Sequence, residues 1–322
     1  MQLYTTLADL PDGFSAGALT IGNFDGVHRG HAQLIERLTQ RAREFAGPAV
    51  VFTFEPHPVR LLRPEAAPAP LTWVSRKAEL LSYLSVDVVV AYPTTREFLS
   101  LSAHEYFQQI IRDQLCAKAI VEGPNFFFGK DRQGDVALLR DLCDQNSISL
   151  DVVEPVTAGD AFVSSSRVRS AIAAGDVDTA NAMLTQPYRI RGMVTHGAGR
   201  GATIGFPTAN ISAVDTLLPG VGVYAGIAYV NASPFRAAIN IGPNPTFNED
   251  QLKVEAHLLD YEGSLYGTPL EVDFTHRLRD IRKFTNQDEL VVQLDQDIAD
   301  VRRLVVELPP QPPQSSPPFS EG

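Results

Sequence analysis

From Ala18 to about Gln145, short apolar runs alternate with longer amphipathic stretches, and few folds accept that alternation. Strand, crossover helix, strand is the repeat of a parallel sheet covered on both faces. The candidate strands are Ala18 to Gly22, Ala49 to Phe54, Val86 to Ala91, Ala119 to Glu122 and Ser149 to Val153. Between the first two, Leu34, Ile35, Leu38, Ala42 and Phe45 recur at helical spacing within His31 to Phe45 and mark one buried face. Five such strands predict a doubly wound α/β sheet. Ligands of such sheets lie beyond the carboxyl ends of the strands, so chemistry is expected in the loops after Ile21, Phe54, Val121 and Val153.

The texture changes after about Thr185. From Arg189 on, Gly and Pro come close together, and the apolar runs (GVGVYAGIAYV, RAAINIG, VEAHLLDY, LEVDF) are short and rich in Val, Ile, Tyr and Phe. That is the pattern of antiparallel strands in a small all-β barrel. Leu290, Leu294, Ile298, Val301 and Val305 then recur at helical spacing between Asp288 and Val306, predicting a helix packed on the barrel. The organisation read from this is a Rossmann-like domain over 1–184, a barrel domain over 185–307 and a Pro-rich disordered tail over 308–322, ending PPQPPQSSPPFSEG. A length of 322 residues suits two domains of roughly 150 residues each.

Charge narrows the function. With 27 Lys plus Arg against 38 Asp plus Glu, the formal net charge of −11 repels a phosphate backbone, so nucleic acid is not an expected partner. Cys116 and Cys143, each on a helix-like stretch and without CxxC spacing, suggest neither a disulfide framework nor a structural zinc site, as in a reducing cytoplasm. The opening MQLYTTLADLPDGF has no basic region followed by an apolar core, and no window approaches 18 uninterrupted apolar residues, so neither export nor membrane spanning is expected.

The strongest local signal is Gly22-Asn23-Phe24-Asp25-Gly26-Val27-His28-Arg29-Gly30-His31, between the first strand and the first helix. Two histidines spaced HxGH at a helix start can both face one anion, because Gly30 permits close approach and the helix N-terminus adds amides and positive dipole. A metal pair would need further His or Cys nearby, and a plain surface turn would not explain the strand and helix on either side. The segment resembles the nucleotidyltransferase superfamily, and in the form GNFDGVHRGH its flavin-specific branch, the adenylyltransferase half of the prokaryotic bifunctional riboflavin kinase/FAD synthetases. Phe54-Glu55-Pro56-His57-Pro58, Gly123-Pro124-Asn125-Phe126-Phe127-Phe128-Gly129 and Ser164-Ser165-Ser166-Arg167-Val168-Arg169 match the same family in chain order.

The resemblance implies that FMN's terminal phosphate attacks the α-phosphorus of ATP and pyrophosphate leaves, with catalysis by positioning and charge neutralisation. It assigns His28 and His31 to catalysis. Gly22, Phe24, Asp25, Gly30, Ser165, Ser166 and Arg169 go to ATP and its phosphates, Asn125 orients phosphate or ribose, and Phe54 and Phe128 face either the isoalloxazine or the adenine. Two positions depart from the family pattern: Ser166 stands where threonine is usual and Phe127 where arginine is common.

In the second half, the glycines of Gly192 to Gly205 imitate a dinucleotide fingerprint, but Pro207 and the lack of an amphipathic run leave no helix for it to open, and a glycine-rich flap is expected instead. Gly205-Phe206-Pro207-Thr208-Ala209-Asn210 resembles the PTAN motif of riboflavin kinases. Gly220 to Tyr224, Asn240 to Phe247, Val254 to His257 and Leu278 to Phe284 follow the family in order. The resemblance implies Mg²⁺ held by Thr208 and Asn210, ATP contacts from Gly199 and Gly205, Glu255 as the base for the ribityl 5′-hydroxyl, and Arg279 at the flavin end of the pocket. At the junction, Leu184-Thr185-Gln186-Pro187-Tyr188 replaces the Gly-Arg-Pro of many relatives, and an altered linker contact is expected.

Taken together, the expectation is an enzyme using ATP for both steps, riboflavin to FMN and FMN to FAD, working as a monomer or weak homo-oligomer. A different acceptor, phosphopantetheine or nicotinamide mononucleotide, would leave the PTAN segment and Glu255 without a purpose. A non-enzymatic flavin sensor would lack a catalytic residue, yet His28, His31, Thr208, Asn210 and Glu255 are all present.

Overall fold

The computed structural model describes residues 1–158, 161–197, 200–244 and 249–309. Gly199, Pro245 to Phe247 and the Pro-rich tail beyond Pro309 lie outside the described residues. The chain forms two compact units, one of Met1–Val168 with Met183–Gln186, the other of Arg169–Ala182 with the chain from Pro187 on.

The first unit is a six-stranded, wholly parallel sheet in the order β1-β4-β3-β2-β5-β6. Its strands are β1 (Gln2–Tyr4), β2 (Ala18–Ile21), β3 (Ala49–Glu55), β4 (Val88–Pro93), β5 (Ala119–Glu122) and β6 (Ser149–Val152). Helices α1 (Arg29–Glu44), α2 (Pro58–Leu62), α3 (Val74–Tyr83), α4 (Arg96–Leu99), α5 (Ala103–Tyr106, continued by a π-helical stretch Phe107–Gln114) and α6 (Val136–Gln145) make the crossovers. The sixth strand, β1, adds to the five expected. Three residues are too few to show a periodicity, and pairing with β4 at the sheet edge makes them a strand. Cys116 likewise falls outside any helix, in the turn after the π-helical stretch.

Alternation along β3 shows why the sheet is covered twice. Val50 and Phe52 pack with Leu115, Ile111 and Phe107 on one face, while Ala49 and Val51 meet Ile35, Leu38 and Ala42 of α1 on the other. Every one of these side chains is almost fully buried, as a parallel sheet requires. Truncating Leu38 to alanine would cost about 2–5 kcal/mol.

A short hairpin, β7 (Thr157–Ala158) and β8 (Ala161–Phe162), precedes α7 (Ser165–Ala173) and α8 (Val177–Met183). The second unit is a closed antiparallel barrel, β10-β13-β12-β11-β14-β9, of β9 (Tyr188–Thr195), β10 (Ala209–Ser212), β11 (Gly222–Val230), β12 (Ser233–Asn244), β13 (Glu249–Leu258) and β14 (Pro269–Arg279). One turn of helix, α9 (Arg200–Thr203), lies in the glycine-rich segment, where no helix was expected. The terminal helix α10 (Gln287–Leu304) lays Val301 and Val305 on Ala225, Ile227 and Leu259, and Leu308 packs beside them.

Two candidate active sites

In the first unit the strand order turns back between β2 and β5, and the carboxyl ends of these two strands open the crevice in which such sheets bind ligands. The β2–β5 ladder there is reduced to one register pair, Leu19 with Ile120. Glu122 bridges the gap, its carboxyl accepting the Ile21 amide at 2.7 Å, and burial pushes that carboxyl well above the usual carboxylate range.

The loop leaving β2 is bent hard and tied on every side. Phe24, Gly26 and Val27 all have left-handed backbones (φ 46°, 82° and 39°), and a Cβ on Gly26 would stand 2.8 Å from Leu71, so glycine is required there. Asp25 was expected at the phosphates; its carboxylate instead accepts the Leu71 amide and both the amide and hydroxyl of Thr72, each at 3.0 Å. It holds the start of the chain segment that leads into α3. Ser165, at the first turn of α7, donates its hydroxyl to the Asp25 carbonyl at 2.9 Å. Thr185 donates to the Val27 carbonyl at 2.7 Å, and Leu184 makes a backbone bridge to His28, so the junction segment buttresses this loop.

At its end stand the two histidines. His28 is the N-cap of α1: its Nδ1 accepts the His31 amide at 3.3 Å, and His31 Nδ1 accepts the His28 amide at 3.3 Å. This is a capping box built of imidazoles, and their rings stack at 3.7 Å and 11°. Because both Nδ1 atoms accept, the rings are neutral Nε2–H tautomers. Burial lowers the His28 pKa to about 4, and burial with the charges of His28 and Lys77 holds His31 well below its ordinary value. Each ring therefore keeps an Nε2–H to donate, beside the N-terminus of a 16-residue helix.

Phe128, expected against a ligand ring, is 5% exposed and sits in the core stacked on Phe126; Phe54 lies at the margin of the same core, against Phe52 and Phe98. The Tyr106 hydroxyl, next in that aromatic row, is buried and has no hydrogen-bond partner among the described residues. Asn125 is exposed on its loop, and exposed Phe127 carries the Arg132 guanidinium 4.3 Å over its ring. Arg169, one turn beyond Ser165, falls in the second unit. The sequence reading passed over Lys77, buried on α3, and Glu122, since neither belongs to a quoted motif. A lysine inside an otherwise apolar helix face was the signal for the first.

In the barrel, register does what the loop does in the sheet. Asn210 of β10 stands opposite Glu255 of β13, and Glu255 opposite Asn240 of β12, with Thr195 of β9 on the far side of Asn210. Directly opposed residues share a face. This polar row is on the face away from the fully buried Ala256 and Ile239. Thr208 comes two residues before Asn210, and the His257 ring nitrogen donates to the Pro207 carbonyl at 2.7 Å, fixing the turn that presents it. The glycine-rich segment closes over these residues: the Phe206 amide returns to the Gly201 carbonyl at 2.8 Å, a Cβ on Gly201 would stand 3.6 Å from Thr208 Oγ1, and one on Gly197 would collide with the Asn210 side-chain amide. Gly205 takes a left-handed φ of 91° in this turn.

Arg279 is not in this group. It ends β14, and its guanidinium is bound to Asp297 of α10 through Nη2 at 2.6 Å and Nε at 2.9 Å, fastening the helix to the barrel. Among the described residues, no three His, Cys, Asp or Glu are grouped to hold a metal ion, and no helix is long and apolar enough to cross a membrane.

A family model described as FAD synthetase matches residues 13–167, and one described as riboflavin kinase matches 184–305. The bifunctional riboflavin kinase/FMN adenylyltransferase of Pseudomonas fluorescens is 36% identical over 305 residues, 94% of this chain and 98% of its own length. That of Bacillus subtilis is 36% identical over 284 residues, 87% of this chain and 89% of its own. A crystal structure described as a macrolide-efflux protein from Streptococcus pneumoniae aligns with a TM-score of 0.82 at 30% identity, covering 94% of this chain and 98% of that one.

Proposed function

The chain belongs to the bifunctional riboflavin kinase/FMN adenylyltransferase family, using ATP to make FMN from riboflavin and FAD from FMN, and we propose which residues perform each step. Adenylyl transfer takes place at the histidine loop of the first unit. The observation that carries this is the reciprocal imidazole cap, which leaves two neutral Nε2–H donors beside a helix N-terminus. FMN's phosphate oxygen bonds to the α-phosphorus of ATP as the bond to pyrophosphate breaks. The charge that grows on the phosphoryl oxygens is met by donors already in place, so little reorganisation is needed. Ser165, Ser166 and Asn125 complete the grip on phosphates and ribose, and Phe54 forms the aromatic side of the pocket, backed by the core that holds Phe128.

Phosphorylation of riboflavin takes place on the polar row of the barrel. Glu255 accepts the proton of the ribityl 5′-hydroxyl as the hydroxyl oxygen bonds to the γ-phosphorus of ATP and the bond from that phosphorus to the departing ADP breaks. Thr208 and Asn210 are hard oxygen donors two residues apart under glycines that leave no room for side chains, a donor set that fits Mg²⁺ completed by phosphates. When bound, the ion neutralises charge on the phosphate oxygens. Gly199 and Gly205 contact ATP, and Arg279 acts on the pocket only through its hold on α10. We further place the adenylyl step in 1–184 and the kinase step in 185–307, in a cytoplasmic monomer or weak homo-oligomer without nucleic-acid partners.

The test is chromatographic: riboflavin, ATP and Mg²⁺ with purified protein are expected to give FMN, then FAD. Glu255→Ala is expected to lose FMN formation by about 10³-fold and keep FMN-to-FAD conversion, and His31→Ala to do the reverse. Loss of both activities by either folded variant would show that the sites are not separate.

A further inference from the structure

Two neutral histidines bring hydrogen-bond donors but no full charge to a polyanion. A buried cation close enough for its charge to act on His31 is Lys77, the fourth residue of α3. It is 6% exposed, and among the described residues its Nζ makes one hydrogen bond, to the Thr53 hydroxyl at 3.2 Å. That hydroxyl in turn donates to the Asn23 carbonyl at 3.2 Å, so Lys77 is joined through one side chain to the loop that carries His28. Asp25 and Glu55 are near enough to pull on its charge, yet neither forms an ion pair with it among the described residues, and Asp25 already accepts from Leu71 and Thr72. An ammonium ion has three protons to donate, and this one gives one of them to a neutral group. Leaving a buried charge so poorly compensated is costly, and an anion arriving at the same place relieves that cost while keeping the ammonium protonated. Its position is not accidental, since the Asp25 clamp on Leu71 and Thr72 sets the start of the helix that carries it.

We propose that Lys77 is a phosphate ligand of the adenylyl-transfer site, turning from Thr53 to the polyphosphate of ATP and stabilising the departing pyrophosphate. The inference rests on the reading of the histidine loop given above, and it adds a buried positive charge to the exposed one that Arg29 carries within the loop. Lys77 also accounts for part of the low proton affinity of His31, so the same residue keeps that ring in its donating, neutral form.

The test uses the full-length protein and inorganic pyrophosphate as probe. Lys77→Met is expected to lower kcat/KM for FMN-to-FAD conversion by about 10²-fold and to weaken pyrophosphate binding in calorimetry by a similar factor, with FMN formation from riboflavin unchanged. The His31 imidazole should titrate at higher pH in this variant, followed by NMR. Lys77→Arg should recover part of the loss, and Thr53→Val, which keeps the charge and removes both hydrogen bonds of the Thr53 hydroxyl, should stay within about tenfold of the parent. If Lys77→Met does not fold, Lys77→Gln, which can keep the Thr53 bond without the charge, must show the same loss. Parental pyrophosphate affinity in a folded Met or Gln variant overturns the proposal. If His31→Ala abolishes FAD formation while Lys77→Met does not, this inference alone fails; if neither matters, the reading of the loop fails with it.

Discussion

The histidine loop and the barrel row solve the same problem, holding a nucleotide's phosphates, by opposite means. In the loop, ten consecutive residues bring the chemistry, and the fold's task is to restrain them: three left-handed backbones, the Asp25 clamp, Ser165, Thr185 and the Leu184 bridge. In the row, Asn210 and Glu255 are 45 positions apart and meet because antiparallel register sets them opposite each other. A loop site is precise only as far as its outside supports hold. A ladder site takes its precision from the sheet hydrogen bonds and is disturbed by whatever shifts the strands or crowds the row.

That contrast can be broken or sharpened by experiment. The largest effect is expected from Asp25→Ala, which leaves buried donors of Leu71 and Thr72 without an acceptor. A loss of about 3 kcal/mol in denaturant unfolding of the first unit, with FAD formation lost and FMN formation kept, is expected. Acid comes next. His28 titrates near 6.5 when unfolded and near 4 in the fold, so between those values the unfolded chain holds the extra proton. Stability is full above 6.5 and is lost as pH falls through the window, by up to about 3 kcal/mol, and a His28→Gln variant should lose this dependence. Gly197→Ala, which drives a methyl group into the Asn210 amide, is expected to raise the KM for ATP in FMN formation about tenfold, without change in melting temperature or FAD formation from FMN. The smallest effect is that of Thr185→Val, about 1 kcal/mol for one hydrogen bond, read as faster amide exchange at Val27 and His28 with the barrel unaffected. Equal sensitivity of both activities to any of these would erase the contrast.

The sequence discloses the two sites unequally for a physical reason. GNFDGVHRGH is contiguous, and its place between an apolar strand and an amphipathic helix is written in the spacing. The role of Asp25 is not, because its partners Leu71 and Thr72 are 46 and 47 residues away and offer only backbone amides and a hydroxyl. Phe128 looks like a ligand ring in the motif and turns out to be core, since three aromatic residues in a row cannot all face the same side. Glu255 was legible only through the motif around it; its neighbour Asn240 needed the register. Arg279 shows the converse, a cation in a family motif whose charge is taken by Asp297 on a helix that follows it.

The four residues Met183–Gln186 belong with the first unit although Arg169–Ala182 before them and Pro187 after them belong with the second. The chain thus crosses between units three times, and no single scission yields two whole halves. A cut after Val168 takes the Leu184 bridge and the Thr185 bond away from the histidine loop, while a cut after Gln186 strips the second unit of Arg169–Ala182, including Asn181, whose side chain accepts the Tyr188 amide at 2.9 Å and donates to the Phe274 carbonyl at 2.8 Å. On the ribosome the same interleaving sets an order: the histidine loop reaches its final form only after the start of the barrel chain has been synthesised.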